Sequence, residues 1–501
     1  MRVLFASAEI YPLAKTGGLA DVSAALPQAL AALGVDVRPL VPGYRQALAR
    51  ATHKSVVAEL RPFGDSGPSR LVAARLPDSD QPLWIVDCPR YFDRPGDPYR
   101  DEAGGDWPDN AARFAYFSRV AADLAMGRVL QDWRADIVHG NDWHTGLLPL
   151  LLGAENGARP GTVFTLHNLA YQGVFPAAIG GQLDLPAEVF TSDGVEFYGQ
   201  ISFLKAGIRY GDRVTTVSPS YAEEILTPEY GCGLEGVLRQ RAECPLGILN
   251  GADYGIWNPS ADQHAASCYD ARHLGGKRDC KEAVRAEFGL NEDESPLLVW
   301  LSRITHQKMA DVLAEALPRI IERGAQIALL GDGDHWLEAQ LRDAVRPYPG
   351  RAALRLGYEE PLAHRLQAGG DMLLLPARYE PCGLSQLYAM RYGTLPVVRA
   401  TGGLRDTVVD ASEEALRRGI ATGFAFREPT AEGLLGGIDR ATTLYHHPIS
   451  WRRMQRHAMA RDFGWSRSAH RYLNLYCSLA PGAAILPPAA EFEEFEALAA
   501  E

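Results

Sequence analysis

Short apolar runs alternate with helical stretches along most of the chain. In the first half the runs fall at residues 2–6, 35–41, 84–87, 137–139, 163–166 and 214–217. A second series starts afresh at 297–301 and continues at 327–330, 353–356, 372–375 and 395–398. Continuous apolar runs of this length, bounded by turns, read as strands buried on both faces, which is the pattern of parallel sheets with helices between the strands. Two such series predict an α/β protein with two Rossmann-like, doubly wound domains in tandem, residues 1–250 and 251–480. The join falls near residues 248–253, ahead of a polar stretch that reaches about residue 280. Helical material over 448–479 closes the folded part. From residue 481 the chain is Pro/Ala-rich and then acidic, with Phe492 and Phe495 among Glu491, Glu493, Glu494, Glu496 and Glu501, and a mobile tail is expected there.

Polar clusters follow several of the predicted strands. KTGGLADV at 15–22 lies between the apolar residues 3–6 and the helical spacing of 23–30. A lysine with two glycines at that place lets backbone N–H groups and a cation approach one anion; a tight turn with a solvated lysine is the alternative. TGGLAD at 16–21 recurs as TGGLRD at 401–406, again where ligands of open α/β sheets sit. SRITHQK at 302–308 offers Arg303 and Lys308 to a diphosphate, or presents them to solvent. His167 opens HNLAYQG at 167–173, directly after a strand. Asp142, Trp143 and His144 join a carboxylate, an indole and an imidazole, which suits sugar rings with their apolar C–H faces and hydroxyl rims; a Trp anchoring a helix is the other reading. In RYEPCGLSQ at 378–386, Glu380 precedes Pro381, which suits the first turn of a helix. Glu380 is then either a cap or a carboxylate that stabilises positive charge on a reacting carbon. The DGD at 332–334 matches a metal-holding pattern, but in a glycine turn no metal is expected from it. G-x-S-x-G, a Walker A lysine loop and G-x-G-x-x-G are absent from the sequence, so hydrolase, NTPase and dinucleotide readings lose support.

Composition narrows the partners. A chain of 501 residues, 47% hydrophobic, is too long for one core. A net charge of -12 argues against wholesale binding to nucleic acid or anionic membrane, so a phosphate-bearing ligand needs a local basic cluster. The seven cysteines are scattered with no C-x-x-C pair, which points to reduced thiols rather than a disulfide framework or a zinc site. No run approaches the ~18 apolar residues of a membrane span, and the N-terminus lacks signal-peptide character. The expectation is a cytoplasmic protein without metal or cofactor.

From residue 2 to about residue 480 the sequence resembles bacterial glycogen synthases and plant starch synthases. The resemblance rests on KTGGLADV at 15–22, HNLAYQG at 167–173, GQISFLKAG at 199–207, LNG at 249–251 and EPCGL at 380–384. It implies the GT-B fold, two Rossmann-like domains facing across a cleft, and transfer of glucose from ADP-glucose to the non-reducing end of an α-1,4-glucan with retention of configuration. By the same resemblance the N-terminal domain takes the acceptor side and the C-terminal domain the sugar-nucleotide side. Lys15, Arg303 and Lys308 would bind the diphosphate, with N–H groups from Gly18 and the Cys382–Gly383 turn. His167 and Glu380 would sit by the transferred glucose, and Asp21 and Tyr358 near the nucleoside, Tyr358 as an adenine platform. Glu9, Tyr99, Asp142, Trp143 and Asn168 would line the acceptor side. The chain departs from the family at Met309, where a glycine is usual and a stiffer loop is expected, and at Cys280, where an asparagine is usual. With no carboxylate pair placed for double displacement, a same-face attack is the preferred mechanism. A GT-B transferase using UDP-glucose and a catalytically silent glucan-binding protein are the rival readings.

Overall fold

Each predicted apolar run forms a strand, and the structure, a computed structural model, describes residues 1–155 and 157–485. The chain divides into two units. The first holds residues 1–217, 222–251 and the stretch from Trp465 onward; the second holds Ser218–Tyr221 and Ala252–Gly464.

The strands of the first unit are β1 (Arg2–Ala6), β2 (Asp36–Pro42), β3 (Thr52–Leu60), β4 (Ser69–Arg75), β5 (Pro82–Asp87) and β6 (Ile137–Asn141). They continue as β7 (Gly161–Leu166), β8 (Val174–Pro176), β9 (Glu196–Phe197), β10 (Gln200–Ser202), β11 (Arg213–Thr216) and β12 (Leu246–Gly247). Nine of them form one sheet in the order β12-β11-β7-β6-β1-β2-β5-β4-β3, and β8-β10-β9 form a small second sheet. From β12 to β5 the pairing is parallel. β5, β4 and β3 pair antiparallel, which corrects the wholly parallel expectation. The cause is visible in β3, most of whose residues face water. An antiparallel edge hairpin tolerates a solvated face and needs no helical crossover, so it leaves no continuous apolar run in the sequence.

The second unit carries β13 (Leu297–Leu301), β14 (Gln326–Gly331), β15 (Ala352–Leu356), β16 (Met372–Leu375), β17 (Leu395–Arg399) and β18 (Phe424–Phe426). All pair in parallel, in the order β15-β14-β13-β16-β17-β18. Strand order reverses beside β13 here and beside β1 in the first unit. The loops after β13 and β16, and after β1 and β6, therefore leave the sheets at the switch points where open α/β sheets bind ligands.

The closing helices differ from expectation. The helix Pro448–Met459 buries Trp451 and Met454 in the core of the second unit. The helix Trp465–Leu479 does not join it: Trp465, Ala469, Tyr472 and Tyr476 pack with Val3, Phe5, Val22 and Val163 of the first unit. An amphipathic pattern shows that a helix buries one face, not which core receives it. Of the tail expected from residue 481, residues 486–501 lie outside the described residues. Those before them are tied in, since the Met1 ammonium donates to the Ala484 carbonyl. No helix among the described residues is long and apolar enough to cross a membrane.

Candidate active site

In the first unit the chain leaves β1 and buries Glu9 beneath the glycine loop. Glu9 accepts from the Thr16 N–H and hydroxyl, both at 2.6 Å, from the Gly17 N–H at 3.2 Å and from the Tyr99 hydroxyl at 2.5 Å. Burial raises its pKa against the pull of those donors. The helix Gly18–Ala31 starts here, with Gly17 at its N-cap. Gly17 has an extended φ of -163, and a Cβ built on it meets nothing within 4 Å. Neither strain nor packing asks for glycine at this N-cap, where glycine is common; its missing side chain leaves the loop open to close approach. Lys15 lies beside it, its Nζ 2.8 Å from Asp21 Oδ1 and 5.1 Å over the Tyr11 ring.

Beyond β6, Asp142 takes a left-handed φ of 56 and its carboxylate receives the His167 N–H at 2.7 Å. Burial pushes its pKa up to about 7, although backbone N–H groups of His167 and Asn168 oppose the shift. His167 Nε2 lies 2.9 Å from Asn141 Oδ1, and the Asn141 amide nitrogen donates to the Ala6 carbonyl. Asn141 therefore presents its oxygen and fixes the proton on Nε2. Burial lowers the His167 pKa to about 3, so the ring is neutral near pH 7. Trp143 packs among Phe114, Phe175 and Phe203, and Gly173 passes so close that a Cβ would come within 2.3 Å of the indole. Tyr99 stacks on His144 at 4.6 Å and links the Glu9 cluster to the Trp143 box. His144 is buried with neither ring nitrogen hydrogen-bonded among the described residues, and burial holds its pKa well below the usual value. Asn168 Oδ1 accepts from the Ala170 N–H at 3.0 Å, which shapes the turn after His167.

In the second unit the loop after β13 and the loop after β16 are laced together. Lys308 Nζ is ion-paired with Glu380 Oε2, the two side chains only 17% and 9% exposed. Arg378 makes a two-point pair with Asp311, at 2.9 and 2.8 Å, and donates to the His306 carbonyl at 2.6 Å. Burial pushes the Asp311 carboxyl up, but Arg378 outweighs it and holds the pKa below the ordinary value. Gln307 Nε2 donates to the Tyr379 carbonyl at 3.1 Å. Arg303 stands exposed on the same loop. The helix expected to begin beside Glu380 begins at Ser385 instead. Gly383, at φ 72, interrupts helical dihedrals, and a Cβ there would meet the Gln386 side chain at 2.4 Å. The second Gly-Gly serves this loop: the Gly403 N–H donates to the Glu380 carbonyl at 3.0 Å, and a Cβ on Gly403 would fall 2.2 Å from the Cys382 carbonyl oxygen.

The turn holding Asp332 and Asp334 braces the Lys308 loop from below. Ile304 donates its N–H to the Asp332 carbonyl at 2.6 Å and accepts from the Asp334 N–H at 2.9 Å. A Cβ on Gly333 would sit 2.2 Å from the Ile304 carbonyl oxygen. No group of three or more His, Cys, Asp or Glu able to hold a metal ion occurs among the described residues. Tyr358, half exposed, follows β15 and is joined to this turn through the Gly357 N–H and the Gly331 carbonyl at 3.0 Å.

The structure thus gathers Glu9, Tyr99, Asp142, Trp143, His167 and Asn168 into one connected cluster of the first unit, with Lys15, Gly18 and Asp21 at the adjoining helix start. Lys308, Glu380, Cys382 and Gly383 form another in the second unit. Arg378, Asp311, Gln307 and Asn141 are not singled out by the sequence reading. Arg378 stands immediately before the EPCGL block and was readable as part of it; the others depend on contacts far apart in the chain.

Residues 2–240 match the family model "Starch synthase catalytic domain", and residues 295–438 match "Glycosyl transferases group 1". The chain is 51% identical over 482 residues to a glycogen synthase of Paramagnetospirillum magneticum, covering 96% of this chain and 98% of that one. It is 49% identical to a glycogen synthase of Thioalkalivibrio sulfidiphilus, covering 96% and 100%. Among solved structures it superposes on the catalytic domain of starch synthase IV from Arabidopsis thaliana bound to ADP and acarbose, with a TM-score of 0.88 and 30% identity over 96% of this chain and 99% of that one. With its two α/β units and the clusters at their switch points, the chain belongs to the glycogen synthase and starch synthase family of GT-B glycosyltransferases.

Proposed function

We propose that the protein transfers glucose from ADP-glucose to the non-reducing end of an α-1,4-glucan, with retention of anomeric configuration. The observation that carries the reading is the Lys308–Glu380 ion pair, held at a switch point by Arg378, Asp311 and Gln307. A preorganised cation there stabilises charge that grows on a departing diphosphate without reorganising as the reaction proceeds. Arg303 on the same loop supplies further positive charge, which a chain of net charge -12 does not offer as a whole.

The bond from glucose C1 to the diphosphate oxygen breaks, and the acceptor 4-hydroxyl forms the new bond on the same face. Its proton passes to the leaving phosphate oxygen. Positive charge grows on the anomeric carbon meanwhile. A neutral His167, kept so by burial, adds no repulsion to it, and the Glu380 carboxylate opposes the developing cation. On this reading the first unit serves the acceptor through Glu9, Tyr99, Asp142, Trp143 and Asn168, and the second serves the sugar nucleotide, with Tyr358 near the nucleoside. Free thiols at all seven cysteines suit a reducing compartment, and we place the reaction in the cytoplasm.

Lys308→Ala tests this. Losing one preorganised donor typically lowers turnover roughly 100- to 1,000-fold, about 2.7–4 kcal/mol. The expected result is a kcat fall in that range with a much smaller change in KM for ADP-glucose. The variant also strands the Glu380 carboxylate, so its melting temperature should drop, and Lys308→Ala/Glu380→Gln should regain part of that loss without regaining kcat. A folded Lys308→Ala enzyme with near-normal kcat would refute the phosphate role.

A further inference from the structure

The hairpin between β9 and β10 spends backbone strain to display an aromatic ring. Its two-residue loop is Tyr198-Gly199, with φ 49 and 78, the two positive values that a type I′ turn requires. Asn-Gly or Asp-Gly fills such turns without strain; a tyrosine in the first position does not. Tyr198 is nevertheless 79% exposed, so core packing is not what keeps it there.

The hairpin is rigidly mounted. Lys205 Nζ donates to the Ser192 carbonyl at 2.6 Å and to the Glu196 carbonyl, and Glu196 Oε1 accepts from the Gly199 N–H at 2.6 Å. The Tyr198 ring meets Phe197 edge-on at 4.7 Å. Both rings lie against Gly233, where a Cβ would come within 3.2 Å of Phe197 and 3.4 Å of Tyr198. The neighbouring Cys232 carbonyl receives the Gln172 side chain at 2.9 Å. Gln172 belongs to the loop that carries His167, Asn168 and the exposed Tyr171. Through Gly233 and Gln172 this hairpin ledge of the first unit is connected to the loop that carries the candidate acceptor residues.

We propose that this ledge is a binding subsite for the acceptor glucan, in which a pyranose distant from the reacting end stacks its C–H face on Tyr198. The ligand class rests on the function proposed above; the ledge itself rests on the strained, exposed ring and the hydrogen bonds that brace its hairpin. Fixing the platform before binding reduces the ordering that the complex must otherwise impose.

Tyr198→Asn relieves the turn, so the variant should fold at least as well as the parent. Native electrophoresis in gels containing glycogen, without donor, reads binding alone: Tyr198→Asn should be retarded less than the parent, while Tyr198→Phe should be retarded like it. In transfer assays, kcat/KM for glycogen relative to maltotriose should fall about two- to tenfold in Tyr198→Asn. Equal retardation of Tyr198→Asn and the parent would overturn the subsite. An unmodified protein that transfers no glucose would instead overturn the proposed function, and the gel would still decide the subsite.

Discussion

Met309 is the residue where two local demands oppose each other. It ends the Lys308 loop in a left-handed conformation, φ 52 and ψ 38, and its side chain is fully buried. Glycine would relieve a conformation that costs an ordinary residue about 1–2 kcal/mol. It would also empty a buried site, where Met→Ala changes cost about 2–5 kcal/mol, and it would loosen the unfolded chain. Packing outweighs strain. Met309→Gly is therefore expected to destabilise by about 1–4 kcal/mol, read as a lower urea midpoint at unchanged slope. A variant more stable than the parent would show that strain dominates. Cys280, the other departure from the family pattern, is buried and donates its thiol to the Ser267 carbonyl at 3.3 Å. The candidate residues stand out in the sequence because they sit in short dense blocks. What those residues lean on does not: Asp311 is unremarkable until Arg378 reaches it across 67 positions. Asp332-Gly333-Asp334 matches a metal-holding pattern in three letters, which do not show Ile304 lying against Gly333.

At the scale of elements, buried parallel strands announce themselves through unbroken apolar runs, and every one of those runs forms a strand. The β3–β4 hairpin is silent because its solvated positions break the pattern, and β18, three residues long, is too short to register. The helix Trp465–Leu479 was legible as a helix and misassigned as to core. Its Tyr476 hydroxyl lies 2.7 Å from His139 Nδ1, and His139 Nε2 lies 2.6 Å from Thr165 Oγ1, so the helix completes a buried polar chain as well as an apolar face. Truncation should separate these roles. A protein ending at Ile485 keeps the helix and the Met1–Ala484 contact, and should retain its melting temperature and its activity within about twofold, well under the ~1.4 kcal/mol of a tenfold change. One ending at Gly464 exposes the Val3, Phe5 and Val163 face and should lose cooperative melting in calorimetry. A tenfold loss of activity in the protein ending at Ile485 would assign the final residues a part in catalysis or docking.

For the whole molecule, function follows from where a few charges are fixed rather than from net charge. The chain is acidic, yet Lys308 and Arg303 leave the second sheet at its switch point, and Lys15 stands at the helix start that follows β1 of the first. On the proposed function, the cations of the second unit are in place before a sugar diphosphate arrives. The most direct measurement is the initial rate of radiolabelled glucose incorporation into glycogen from ADP-glucose and from UDP-glucose, in excess chelator, with the product linkage determined by enzymatic digestion. ADP-glucose should support α-1,4-linked incorporation at a clearly higher kcat/KM than UDP-glucose, undiminished by chelator. Preference for UDP-glucose, activity lost in chelator and restored by manganese, or no incorporation from a folded protein would contradict it.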